Sequence, residues 1–237
     1  MMDKIIITAA LSGSIHTPSM SPYVPITPEE IANEAVKACQ AGAAAVHIHM
    51  RNPKTGQPSS DPSLFLECVT KIKKESDVII GLSTGGGIGE PKEERIKVVP
   101  QFKPELASLD MGSMNFALYP YVKQFEPFKY SWEKEYLQFT KDFAFRMTFE
   151  DLEYYSKVMD ETGTRPELEI FDVGHLYNAA QLIRDGVLIF PLYIQFCTGI
   201  LGGIGADIEH IVHLKRTADK LFKENYYWSI IGAGKQE

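Results

Sequence analysis

Cysteines, long apolar runs and basic clusters are all scarce in this sequence, and each scarcity narrows what the chain does. Cys39, Cys68 and Cys197 are the only three cysteines in 237 residues, and they lie far apart. They read as small buried hydrophobes in a reducing compartment, not as a disulfide framework. The longest apolar stretch, GVLIFPLYI, contains Pro191. It is about half of the roughly 20 residues that a bilayer crossing needs. The opening MMDKIIITAA carries an acid and lacks the basic segment, apolar core and cleavage site of a leader. A cytoplasmic protein with no membrane contact is the expectation. Lys and Arg number 24 against 31 Asp and Glu, for a net charge of −7, with no dense basic block. A negative field repels phosphate backbones, so nucleic-acid binding is disfavoured.

What is present is a core-forming fraction of 44% hydrophobic residues, ordinary for a globular protein. Strand-like runs alternate with helix-like ones. KIIITAA (4–10) opens the series, followed by AAVHIHM, DVIIGLS, ELASLDM (105–111), PELEIFD (166–172), PLYIQFCTG (191–199) and YYWSIIGAG (226–234). Between them helices are expected at about 28–41, from Asp61 and Pro62 to about 75, near 91–98, over 148–163, over VGHLYNAAQLIRDG and near 207–222. Thr27 as N-cap, Pro28 at the first helical position and Glu30 three residues after the cap predict the first helix start. Strands separated by helices imply parallel pairing through right-handed crossovers. The pattern predicts a single (β/α)₈ TIM barrel over 1–237, truncated after the seventh strand. The aromatic and charged stretch 115–147 has no clean period and reads as an insertion over one mouth of that fold.

In AAAVHIHMR, His47 and His49 alternate with Val46, Ile48 and Met50. Strand side chains alternate faces, so both imidazoles point one way, at the strand's C-terminal end where barrel sites are built. A divalent metal satisfies both, and zinc takes neutral imidazole readily. The competing reading is a pair of core histidines bonded to neighbours. LSTGGGIGE places Ser83 and Thr84 before Gly85, Gly86 and Gly87. Bare N–H groups there suit an anionic or carbonyl-bearing ligand, although glycine serves plain turns equally. It is not a P-loop, because no Gly-Lys-Ser/Thr follows.

Ser108 and Asp110 share one strand face, as do Glu167 and Glu169 on the next strand. Buried acids are costly unless paired. Glu169, nearest the mouth, could orient a ligand or support a metal site, whereas Glu167 suits an ion pair equally well. His175 reads as a cap or loop residue with a weaker catalytic claim. His210 and His213 read as a solvated helix face. GILGGIG and GAG are Gly-rich turns that could hold a phosphate-bearing cofactor, without a dinucleotide fingerprint.

ITPEEIANEAVKACQAGAAAVHIHMRNPKTGQPS, LSTGGG, KPELASLDMGSMNF, PELEIFDVGHLYN, LGGIGA and WSIIGAGKQ occur in this order along essentially the whole chain. Together they resemble the β-keto acid cleavage enzymes, the family that includes the 3-keto-5-aminohexanoate cleavage enzyme. The resemblance implies a zinc-dependent TIM barrel, usually a homotetramer. It would condense a β-keto acid with acetyl-CoA, giving acetoacetate and a new acyl-CoA. It implies that His47 and His49 bind Zn²⁺, that Ser83 and Gly86 contact substrate, that Ser108 lies near it, and that Glu169 is an active-site glutamate. The family's third metal ligand, acid–base aspartate and arginine sit on an eighth-strand segment that would fall beyond Glu237. Members acting on an amine carry an acid after the first strand, where this sequence has Ile15 beside His16. The resemblance therefore points to another β-keto acid. Two rival readings remain. One is a metal-dependent hydrolase of the amidohydrolase kind, which carries His-x-His on the first strand instead of the second. The other is a catalytically silent truncated barrel.

Overall fold

The computed structural model describes residues 5–87 and 89–231. They form two compact units. The first holds the chain up to Ala107 with Pro127–Glu133 and Thr162–Thr164. The second holds Ser108–Glu126, Lys134–Glu161 and the chain from Arg165 onward.

Three strands of the first unit, β1 (Thr8–Ala10), β2 (Ala45–Ile48) and β3 (Ile79–Leu82), run parallel, with Ala10 opposite His47 and Ile48 opposite Leu82. β4 (Leu106–Asp110) follows, Gly81 and Leu82 pairing with Leu106 and Ala107. All four residues of β2 are buried, as expected for a parallel strand covered on both faces. α1 (Pro28–Gln40) packs against β2, and α2 (Pro62–Glu75) packs against α1. α1 has the Thr27 capping box, the hydroxyl accepting from Glu30 N and the Glu30 carboxylate accepting from Thr27 N. It buries Ile31, Ala32 and Ala35, and α2 buries Phe65, Cys68, Val69 and Ile72. Both sets have the three-and-four spacing of one helix face. Burial pushes the Cys68 thiol up to about 12, with the Glu67 charge adding to it, which makes it an inert core group.

The second unit continues the pattern with β4 from Ser108, β5 (Arg165–Ile170), β6 (Leu192–Cys197) and β7 (Tyr226–Ile231). Glu167 lies opposite Tyr193, and Leu192 opposite Tyr226, again in parallel. α6 (Phe149–Thr162), α7 (Val173–Arg184) and α8 (Ile208–Phe222) separate these strands. Among the described residues, seven parallel strands in chain order, the first six each followed by helix, are consistent with a TIM-like barrel.

Four expected details differ. One helix near 91–98 is instead α3 (Lys92–Ile96) and α4 (Val98–Phe102). Pro100 has no N–H for the Ile96 carbonyl, and its ring crowds that turn. The strand AAVHIHM stops at Ile48, and Met50–Arg51 pairs antiparallel with Pro58–Ser59. β1 starts at Thr8, not at residue 4, which lies outside the described residues along with 232–234 of the last expected strand. The stretch 115–147 has more order than its lack of period suggests, with a 3₁₀ turn (Tyr119–Gln124) and α5 (Ser131–Phe139).

Part of that stretch, Pro127–Glu133, belongs to the first unit. Ser19 N and Ser19 Oγ donate to Glu133 Oε2 and Oε1 at 2.9 and 2.8 Å, and Tyr130 N donates to Oε1 at 2.9 Å. Trp132 Nε1 donates to Thr55 O at 3.0 Å. Burial alone would raise the Glu133 pKa, but hydrogen bonds from Thr17, Ser19 and Tyr130 hold it below the usual glutamate value of 4.5. A lowered folded-state pKa stabilises at pH above the unfolded value and loses that contribution as pH falls through the folded one. The gap in melting temperature between wild type and Glu133→Gln is therefore expected to be full at pH 7 and to shrink below about pH 4.5. Melting curves between pH 7 and 3 check this, and a constant gap contradicts it.

Candidate functional site

In the first unit, the C-terminal ends of β2 and β3 bring together a donor pair and a glycine turn. His47 closes the paired part of β2 with Ile48, and His49 follows directly. Their rings converge, with Nε2 atoms 3.1 Å apart and ring centroids at 5.0 Å. Two nitrogens on one tetrahedral zinc at about 2.0–2.1 Å lie about 3.3 Å from each other, so the pair fits a shared divalent ion. Burial, then the neighbouring His47 and Arg51 charges, holds the His49 imidazole well below its ordinary pKa. The neutral ring is the form that ligates a metal.

Ser83 N donates to Ile48 O at 3.0 Å, so Ser83 leaves β3 beside the point where His49 leaves β2. Its buried hydroxyl accepts from Gly85 N at 3.1 Å, which fixes the start of the turn. Gly86 has φ +63°, and a Cβ there would stand 2.7 Å from both Arg95 Cγ and Glu90 Oε2. The left-handed backbone and the missing side chain are both used at this position. Gly86→Ala is expected to cost at least about 1–2 kcal/mol in urea unfolding, from backbone strain with the clash against the buried Arg95 stem added to it. An unchanged midpoint would contradict it.

Arg51, two residues past His49, is fully buried. Its guanidinium donates to four carbonyls, those of Gly56 (2.8 Å), Ser12 (3.1 Å), Gly13 (2.7 Å) and His16 (2.6 Å). Ser12 Oγ donates to His49 O at 2.8 Å. The signal that could have found Arg51 is its parity with His47 and His49, which precede it by four and two residues.

The second unit carries the acids. Ser108 and Asp110 are buried on β4, and Glu167 is buried on β5. Gln195 Nε2 donates to Glu167 Oε1 at 3.1 Å. Glu169 has its pKa raised well above the carboxylate range by burial, then by the Asp110 and Glu167 charges and a hydrogen bond with Asp110. Such a group holds its proton longer than an ordinary glutamate and can give or take one. Burial and the same three acids push the Cys197 thiol well up, so it stays protonated.

His175 is neither a cap nor a loop residue. Asp172 caps α7, its carboxylate accepting from Gly174 N, and His175 lies buried in the first turn. Its Nδ1 accepts from Phe171 N at 3.3 Å, and its ring fills the space over Gly112, where a Cβ would come within 2.8 Å. That is a structural role. His210 is half-buried and His213 is exposed on α8.

A family description, beta-keto acid cleavage enzyme, matches residues 4–237. A Paraburkholderia graminis protein named 3,5-dioxohexanoate:acetyl-CoA acetone transferase is 47% identical over 234 residues, covering 99% of this chain and 76% of that protein. A Rhizobium meliloti 3-dehydrocarnitine:acetyl-CoA trimethylamine transferase is 34% identical, over 88% of this chain and 69% of that protein. The Fusobacterium nucleatum 3-keto-5-aminohexanoate cleavage enzyme is 32% identical over the full chain and 76% of its own length. Among solved structures, apo ObcA superposes with a TM-score of 0.63 at 20% identity, covering 90% of this chain. This chain spans about half of ObcA, 51% of it, and the likeness shows the fold alone.

Proposed function

Because this chain belongs to the β-keto acid cleavage enzyme family, we propose that it exchanges acyl groups between a β-keto acid and acetyl-CoA. The carboxymethyl part of the keto acid passes to the acetyl carbon, giving acetoacetate. The remaining acyl group passes to the CoA sulfur. One carbon–carbon and one carbon–sulfur bond break, one of each forms, and no oxidant or reductant is needed.

His47 and His49 would hold Zn²⁺. Such an ion, when bound, polarises a keto oxygen and stabilises charge developing on it. Ser83 and the bare backbone at Gly86 would receive the substrate carboxylate or a developing oxyanion. Ser108 would contact substrate. Glu169, with its tendency to stay protonated, would move the proton that carbon–carbon cleavage requires. Ile15 stands where amine-selective members have an acid, and the Paraburkholderia relative is named for 3,5-dioxohexanoate. Both favour a keto acid without a distal amine. A homotetramer in the cytoplasm completes the reading; among the described residues no helix is long and apolar enough to cross a membrane.

The observation that supports this reading most is the convergence of the two Nε2 atoms at 3.1 Å. Incubation with 3,5-dioxohexanoate and acetyl-CoA should release acetoacetate. Chelation should stop the reaction and Zn²⁺ should restore it. Loss of the keto acid without acetyl-CoA would favour the hydrolase reading. No loss at all would favour a silent barrel.

A further inference from the structure

The loop that leaves β1 is held from two sides, and neither hold belongs to the chemistry above. It starts at the imidazole pair. Ala10 lies opposite His47, Leu11 N donates to His47 O at 3.3 Å, and Ser12 Oγ donates to His49 O at 2.8 Å. The loop therefore leaves β1 with Leu11 and Ser12 bonded to the backbone of the two histidines. From the inside, Arg51 binds three carbonyls of this loop, at Ser12, Gly13 and His16. Its fourth bond, to Gly56 O, adds the turn after Arg51 to the same cluster.

From the outside, the loop is held by a segment more than a hundred residues away. Glu133 accepts from both the N–H and the hydroxyl of Ser19, and Lys129 N donates to Ser19 Oγ at 2.7 Å. Trp132 ties the segment to Thr55 O in the turn that Arg51 also holds. One loop, one turn and one strap thus form a closed hydrogen-bonded frame around the exit of β1 and β2. A loop only needs this much fixing if its position is used, since a surface connection usually tolerates movement.

The reading above sets Ile15, and with it the Ser12–Ser19 loop, as a wall beside the ligand; we propose that Glu133 is the positioning residue that sets this wall. Glu133 acts through Ser19 and does not touch the ligand. A displacement of about 1 Å in a positioning element can cost on the order of 100-fold in a site's performance. The ligand class rests on the reading above, a β-keto acid.

The test compares wild type, Glu133→Ala and Glu133→Gln in the full chain, with 3,5-dioxohexanoate and acetyl-CoA as probes. In Glu133→Ala, amide exchange of residues 12–20 is expected to rise at least about tenfold, while β2 and α1 keep their protection. Titration calorimetry should show binding of 3,5-dioxohexanoate weakened by about tenfold, and KM should rise with it. The kcat and the Zn²⁺ content should stay within about twofold. Glu133→Gln keeps one carbonyl acceptor and should recover part of the binding. Unchanged loop exchange would overturn the clamp. Faster loop exchange with unchanged keto-acid affinity would overturn the wall. An equal loss of kcat, metal and affinity would mark a merely structural residue. Wild type that binds the keto acid without turnover would remove the proposed reaction alone, and the wall would still be judged by affinity. Wild type that fails to bind the acid would count against both.

Discussion

His47→Ala is expected to lower Zn²⁺ affinity by at least about 100-fold and to remove acetyl-CoA-dependent cleavage. Disturbing a group that merely supports a metal ligand already costs roughly 10–100-fold, and here one of two meeting nitrogens is lost outright. The Nε2 atoms stand 3.1 Å apart at a buried strand end, and no rotation of His49 replaces the missing donor. The fold should survive, because β2 keeps its backbone pairing with β1 and β3. Equilibrium dialysis with Zn²⁺ and far-UV circular dichroism separate the two effects. Wild-type affinity in a folded His47→Ala chain would remove the metal role, and the two rings would then be a hydrogen-bonded core pair.

Arg51→Met is expected to destabilise the chain by about 3–5 kcal/mol. Each buried carbonyl left without a donor costs about 1–3 kcal/mol, and Arg51 serves four carbonyls, of which those of Gly56 and Ser12 are in buried bonds and those of Gly13 and His16 in part-buried ones. Some will find water, which keeps the total below the simple sum. Against a typical stability of about 5–15 kcal/mol this is a large fraction. Arg51→Lys should recover less than half, since an ammonium cannot span four acceptors as a planar fork does. Urea midpoints of the two variants check this. A loss under about 1 kcal/mol in Arg51→Met would mean that the loop reorganises freely, and it would weaken the frame argued for Ser12–Ser19.

The contrast between these two residues shows where the sequence is legible. His47 and His49 declare themselves by a spacing of two in an apolar strand, because period-two alternation is a local property. The same holds for the seven strands and for α1, whose cap is written in Thr27, Pro28 and Glu30. Arg51 lies in the same short stretch and shares the parity of the histidines. Its meaning, however, depends on the carbonyls of residues 12, 13 and 16, and a carbonyl has no sequence signature. Glu133 is less legible still. Its partners, Ser19 and Tyr130, meet only because the strap folds back across 114 positions. Pro100 is the opposite case, since its missing N–H splits the expected helix for a local reason that was readable.

Glu169 falls between these cases. Its face is readable from alternation with Glu167, but its raised pKa comes from burial and from Asp110 on a neighbouring strand. Strand adjacency, not sequence spacing, makes that cluster. His175 reads from the sequence as a cap or loop residue, whereas it lies inside the first turn of α7 and its ring serves Phe171 N and the space over Gly112, contacts that spacing does not reveal.

X-ray absorption at the zinc edge of the Zn²⁺-loaded chain tests the account most directly. Two imidazole nitrogens at about 2.0–2.1 Å from the zinc are expected, reduced to one in His49→Ala. A shell without imidazole nitrogen, or a chain that takes up no zinc at all, would contradict it.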